Sequence, residues 1–150
     1  MQVIMIHEFI PITDLKTIIE VPYFDAGVQA GFPSPAADFE GLTISFDKEV
    51  FGTSPSTTFC ARVTGDSMKN AGIHNNDVVV VDRLLEPQDG DIAVCVINSE
   101  FTLKTIKIDK DCIWLLPENE NYSPIKVTQD DEFTVWGIVT HTLKYHRKRK

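Results

Sequence analysis

The chain has 150 residues, enough for one domain with a real core. Apolar residues make up 43% and charged residues 24%, a globular balance that excludes a fibre or wholesale disorder. The formal net charge of -8 argues against a general nucleic-acid binder, because phosphate contacts need clustered Lys and Arg.

The charge is unevenly spread. Lys144, Arg147, Lys148, Arg149 and Lys150 hold five of the fourteen basic residues, leaving nine against twenty-two acidic residues before them. Such a terminus reads as a solvated end or as a contact for DNA or an acidic partner. Cys60, Cys95 and Cys112 are odd in number and form no Cys-x-x-Cys pair, so neither a structural disulfide nor a zinc site is expected, and a reducing compartment is. His7, His74, His141 and His146 add no metal-ligand spacing. No basic residue precedes Lys16 and no apolar run approaches the roughly 18 residues of a membrane span, so the expectation is a cytoplasmic protein without signal or anchor.

Residues 1–30 read as a short, flexible N-terminal arm. Residues 3–6 fit a short strand, and residues 14–20 fit either a strand or a single helical turn. Thirty residues are fewer than a repressor's helix-turn-helix domain needs, so no direct sequence-specific DNA binding is expected. Residues 26–35 are rich in Gly, Ala and Pro. Pro33 and Pro35 favour extended backbone, and Ala30 and Gly31 have little side chain to clash in a tight site. The stretch suits both a linker and a bond that must be reachable to be cut.

From there the pattern is that of short strands. Residues 36–40 suggest a turn of helix, and Leu42, Ile44 and Phe46 alternate as one face of a strand. Residues 57–63 form another strand candidate, and Val78 to Val81, apolar on both faces, reads as a buried central strand. Its flanking Asp77 and Asp82 are read as strand-end residues rather than a catalytic pair. A turn at residues 87–90 leads to a strand at 92–97, a tight reversal at Asn98 and Ser99, and a return strand at 100–108. Residues 112–116 and 133–145 complete the set. The last strand places Phe133, Val135, Gly137 and Val139 on one face and Thr134, Trp136, Ile138 and Thr140 on the other. Apolar groups on both faces suggest packing against a second subunit or the arm.

Two residues stand out chemically. Ser67, in Gly65-Asp66-Ser67-Met68, is expected where a strand end runs into a short helical turn closed by Gly72. That would put it at a helix N-terminus, with the amides of Ser67 and Asp66 available to an oxyanion. Lys104 shares its strand face with Thr102, Ile106 and Ile108. Desolvation there would lower its pKa, as a lysine general base requires. A serine hydroxyl needs such a base to act as a nucleophile, and Ser-Lys pairs are a known form of it. The plainer readings are an N-cap serine and a snorkelling surface lysine.

Gly65-Asp66-Ser67-Met68, Gly72-Ile73, Asp77 to Asp82 and Glu100-Phe101-Thr102-Leu103-Lys104 resemble the self-cleaving serine peptidases of the LexA/UmuD type. Residues 28–38 are similar to the cleavage region of the UmuD branch, and the loop at residues 117–124 also looks like the family's. The resemblance implies a mainly β, compact domain like the LexA C-terminal domain and the signal peptidases. It implies Ser67 as nucleophile, Lys104 as general base and the Ala30-Gly31 bond as target, with no cofactor and no metal. The expected organisation is an arm removed by cleavage (1–30), a linker (31–40), a Ser-Lys peptidase and dimerisation domain (41–145) and a basic tail (146–150). Further implications are a homodimer, stimulation by the RecA filament on single-stranded DNA, and a UmuC-type polymerase subunit as partner of the shortened form in the SOS response. The competing readings are a non-catalytic polymerase accessory module with a vestigial dyad, and a signal peptidase, which would need a membrane anchor.

Overall fold

A computed structural model describes residues 20–22, 43–52 and 55–147. A short antiparallel pair joins β1 (Glu20–Pro22) to β2 (Thr43–Ser45), in the register Glu20 to Ser45 and Pro22 to Thr43. The helix α1 (Phe46–Phe51) follows at once. Residues 36–40, Leu42, the Ala30-Gly31 bond and the rest of the arm lie outside the described residues.

The expected strand face of Ile44 and Phe46 is therefore corrected. Phe46 opens a helix and is 56% exposed. The Ser45 hydroxyl accepts from the Lys48 amide at 3.4 Å, and Asp47 and Glu49 place negative charge in the first turn. Both features favour a helix start over continued strand.

The body is one seven-stranded antiparallel sheet. Its strands are β3 (Thr58–Arg62), β4 (Val78–Asp82), β5 (Ile92–Ile97), β6 (Glu100–Ile108), β7 (Ile113–Leu116), β8 (Ile125–Val127) and β9 (Phe133–Leu143). The spatial order is β3-β4-β9-β5-β6-β7-β8, so the last strand is inserted between β4 and β5. Val79, Val80 and Val81 are fully buried beside it, as their apolar run demands. Asn98 and Ser99 both take left-handed backbone (φ 49° and 69°), the conformation a two-residue hairpin turn between β5 and β6 requires.

Alternation sorts β5 between two core clusters. Val94 and Ile92 join one with Met68, Val79 and Leu103, while Ala93, Cys95 and Ile97 join the other with Ile106 and Leu115. β9 does not alternate simply. The pairing jumps from Val80–His141 to Val81–Val139, and from Val94–Gly137 to Cys95–Val135, so Thr140 and Trp136 are extra residues in bulges. As a result Phe133 and Val135 share their cluster with Ile138, and Trp136 shares the other with Val139. This replaces the strict two-face pattern.

Gly137 occupies the tightest point of that crossing. A Cβ there would lie 2.5 Å from Val81 Cγ1 and 3.3 Å from the Asp82 carbonyl. Gly137→Ala is expected to lower stability by about 1–3 kcal/mol through overpacking, measured as a shift of the urea midpoint. An unshifted midpoint would mean that the central strands separate freely.

Candidate active site

The turn that carries Ser67 begins where β3 ends. Val63 continues the pairing, with its amide donating to Asp77 O and its carbonyl accepting from Asn76, each at 2.8 Å. Gly65 then takes φ 89°, a conformation side-chain-bearing residues rarely adopt, and its amide donates to Asn75 Oδ1 at 2.8 Å. A tight turn follows in which the Lys69 amide donates to Asp66 O at 3.2 Å. Met68 is buried in the first core cluster, and its carbonyl accepts from Ala71 and Ile73. The apolar anchor thus fixes the backbone next to Ser67.

The expected short helical turn is present as a single 3-10 turn, Lys69–Ala71, closed by Gly72 in left-handed backbone, but its cap is Met68 rather than Ser67. Ser67 precedes it by two residues. Three residues carry no appreciable helix dipole, so any anion stabilisation here has to come from individual amides.

Lys104 is supplied by β6 directly opposite Ala93. It is only 2% exposed and Ser67 only 6%. Thr102 and Ile106, its neighbours on that face, are buried, whereas Ile108 at the strand's end is exposed. The Lys104 Nζ lies 3.3 Å from Ser67 Oγ, 2.8 Å from Thr102 Oγ1 and 3.0 Å from Leu103 O. Burial lowers its pKa from 10.5 to about 8. Cys95, whose thiol burial pushes up to about 12, acts weakly in the opposite direction. That thiol stays neutral while Lys104 titrates, so burial sets the value.

The protonation state decides what this geometry can do. An ammonium has three protons for three oxygens and only holds Ser67 in place. A neutral amine has two protons and one lone pair. Thr102 Oγ1 and Leu103 O take the protons, and the lone pair is left facing the Ser67 hydroxyl as an acceptor. The arrangement is thus able to withdraw a proton from Ser67 Oγ without a histidine.

Sequence reading did not find the loop after β7, at residues 117–122, as part of the site. The Glu118 amide donates to Ser67 O at 2.8 Å, Asn119 Nδ2 to Asp66 O at 2.9 Å, and the Tyr122 hydroxyl to Asp66 Oδ1 at 2.8 Å. The Asn70 amide donates to Glu118 O at 2.8 Å, and Thr105, beside Lys104, donates to Glu118 Oε1 at 2.9 Å. The signal available was the composition of residues 117–124, noticed as a likeness and given no role.

A second cluster lies close by in sequence. Lys144, the first residue of the basic C-terminal group, pairs with Asp77 Oδ2 and contacts His74 Nδ1 at 3.0 Å. Burial pushes the Asp77 carboxyl up, but the Lys144 and His74 amide hydrogen bonds outweigh it and hold the group below its ordinary range. Lys144 is therefore part of the fold rather than of a solvated end. Asp82 instead accepts from the Leu84 amide at 2.8 Å, which closes its strand. The three cysteines are free thiols, and no group of three metal-ligating side chains occurs among the described residues. No helix among them is long and apolar enough to cross a membrane.

Comparison with known proteins gives the class. Residues 22–140 match the Peptidase S24-like family, and the chain belongs to that family of serine peptidases. The relatives narrow it to the LexA/UmuD type. Proteins named MucA from Salmonella typhimurium and Escherichia coli are each 38% identical over 128 residues, covering 84% of this chain and 86% of theirs. The LexA repressor of Xylella fastidiosa (strain 9a5c) is 38% identical over 120 residues, which is 80% of this chain but 56% of the repressor. The mainly β architecture agrees with both.

Proposed function

We propose that the chain is a self-cleaving serine endopeptidase of the SOS response that cuts its own Ala30-Gly31 bond. The neutral Lys104 amine takes the proton of Ser67 Oγ as that oxygen bonds to the Ala30 carbonyl carbon. The amides of Ser67 and Asp66 receive the developing oxyanion. The C-N bond then breaks, Lys104 returns the proton to the departing Gly31 amine, and water hydrolyses the ester on Ser67. The observation that carries this reading is the 3.3 Å contact between a buried serine and a buried lysine whose pKa is held near 8.

Family membership supports the biological setting. The shortened product, residues 31–150, is read as a homodimeric accessory subunit for a UmuC-type translesion polymerase, with cleavage stimulated by the RecA filament on single-stranded DNA. The test is the intact mass of the purified chain after incubation at alkaline pH, and separately with RecA, ATP and single-stranded DNA, beside Ser67→Ala. The expected product begins at Gly31, keeps 120 of 150 residues and is absent in the variant. A chain uncut in every condition would instead favour a binding module in which the pair has only a structural role.

A further inference from the structure

The loop at residues 117–122 holds both peptide carbonyls that flank the Cα of Ser67. Asp66 O accepts from Asn119 Nδ2 at 2.9 Å, and Ser67 O accepts from the Glu118 amide at 2.8 Å. In a planar trans peptide the N-H lies antiparallel to the C=O. Pinning Asp66 O toward the loop therefore turns the Ser67 amide proton to the opposite side. That amide belongs to the same residue as Oγ, so it is within reach of an oxygen on a carbon bonded to Oγ.

Asn119 suits the task. It is 4% exposed, and its Oδ1 accepts from the Asn121 amide at 3.0 Å, which fixes its Nδ2 as the end that faces Asp66. The other donor to Asp66 O, the Lys69 amide, sits at 3.2 Å, the long end for such a bond. The Glu118 carboxylate also ties the loop to Thr105 on the lysine strand. One loop thus sets the nucleophile's peptide plane and its distance from the base strand.

We infer that Asn119 is a positioning residue for oxyanion stabilisation, acting through the Asp66-Ser67 peptide to aim the Ser67 amide at the carbonyl oxygen under attack. The inference rests on the reading of Ser67 as nucleophile. Asn119→Leu keeps the approximate size, removes the donor to Asp66 O and adds no charge. In the full chain, cleavage followed by intact mass is expected to slow by about tenfold to a hundredfold, less than the roughly 10²–10³ for outright loss of an oxyanion donor, because the Ser67 amide remains and only its aim is lost. The pH of half-maximal rate should stay where it is, because the substitution brings no charge near Lys104.

A variant that cleaves within about threefold of the parent, or whose midpoint moves, overturns the inference while leaving Ser67 in its role. A parent that does not cleave at all removes both. A measurement on the unaltered chain decides the matter if the variant does not fold. Diisopropyl fluorophosphate bonds its phosphorus to Ser67 Oγ as fluoride leaves and the hydroxyl proton passes to Lys104. That puts a phosphoryl oxygen within reach of the Ser67 amide, whose proton is expected to move downfield in the NMR spectrum of the adduct. An unmoved resonance overturns the inference.

Discussion

Lys104→Met is expected to abolish cleavage while making the folded chain more stable at neutral pH. The loss of cleavage should be about 10³-fold or more, since the proposed base is removed. The gain in stability comes from the same burial. Lys104 titrates near 8 when folded against 10.5 as its ordinary value, so folding disfavours its charged form. Because the folded value is the lower one, that penalty is fully present below about pH 8 and fades as pH rises toward 10.5. Its size is roughly 3 kcal/mol at neutral pH. Methionine forfeits the contacts to Thr102 and Leu103, so a net gain of about 1–3 kcal/mol is expected at pH 7. Urea unfolding at pH 7 and pH 10 measures it, and the difference between the two proteins should shrink at the higher pH. A difference equal at both pH values would mean that the fold does not lower the pKa of Lys104.

Gain of stability on removal of a buried group is the mark of a residue kept for chemistry rather than folding. The same contrast separates what was legible in the sequence from what was not. Ser67 and Lys104 were legible as candidates from residue chemistry and local pattern together with the family resemblance, and the structure brings their side chains within 3.3 Å of each other. A hydroxyl at the end of a strand and a cation between Thr102 and Ile106 on an alternating segment are unusual enough to be noticed. The strands of the body were legible for similar reasons: the valines of β4, the Asn98-Ser99 reversal, and the alternation of β5.

The bulges of β9 were not, because a period of two does not say where an extra residue is inserted, and Trp136 and Thr140 look like ordinary members of the run. The start of α1 escaped because six residues are too few to display a helical period, although Ser45 followed by Asp47 and Glu49 carried a capping signal. The roles of Glu118 and Asn119 escaped for a different reason. Their partners Ser67 and Asp66 are about fifty residues away, and the contacts exist only once β6 and β7 have paired. Nothing local marks an asparagine as the donor to a distant carbonyl. Lys144 belongs with these, since its pairing with Asp77 depends on β9 lying beside β4.

Spontaneous cleavage is expected to speed up about tenfold for each pH unit below 8 and to level off above it. The sign follows from the lone pair: only the neutral amine accepts the Ser67 proton, so the rate tracks the deprotonated fraction of Lys104. With its pKa held near 8 by burial, about one molecule in ten carries the active form at pH 7. The Cys95 thiol, pushed up to about 12, should contribute no second inflection. Initial rates by intact mass between pH 6 and pH 10 give the profile, and a flat line across neutrality would count against Lys104 as the base. The same titration with RecA on single-stranded DNA separates two ways of stimulating the reaction. A partner that presents the Ala30-Gly31 bond to Ser67 raises the plateau and leaves the midpoint near 8. A partner that dries the surroundings of Lys104 further moves the midpoint down, and its advantage over the spontaneous reaction is then largest at neutral pH and disappears in alkali.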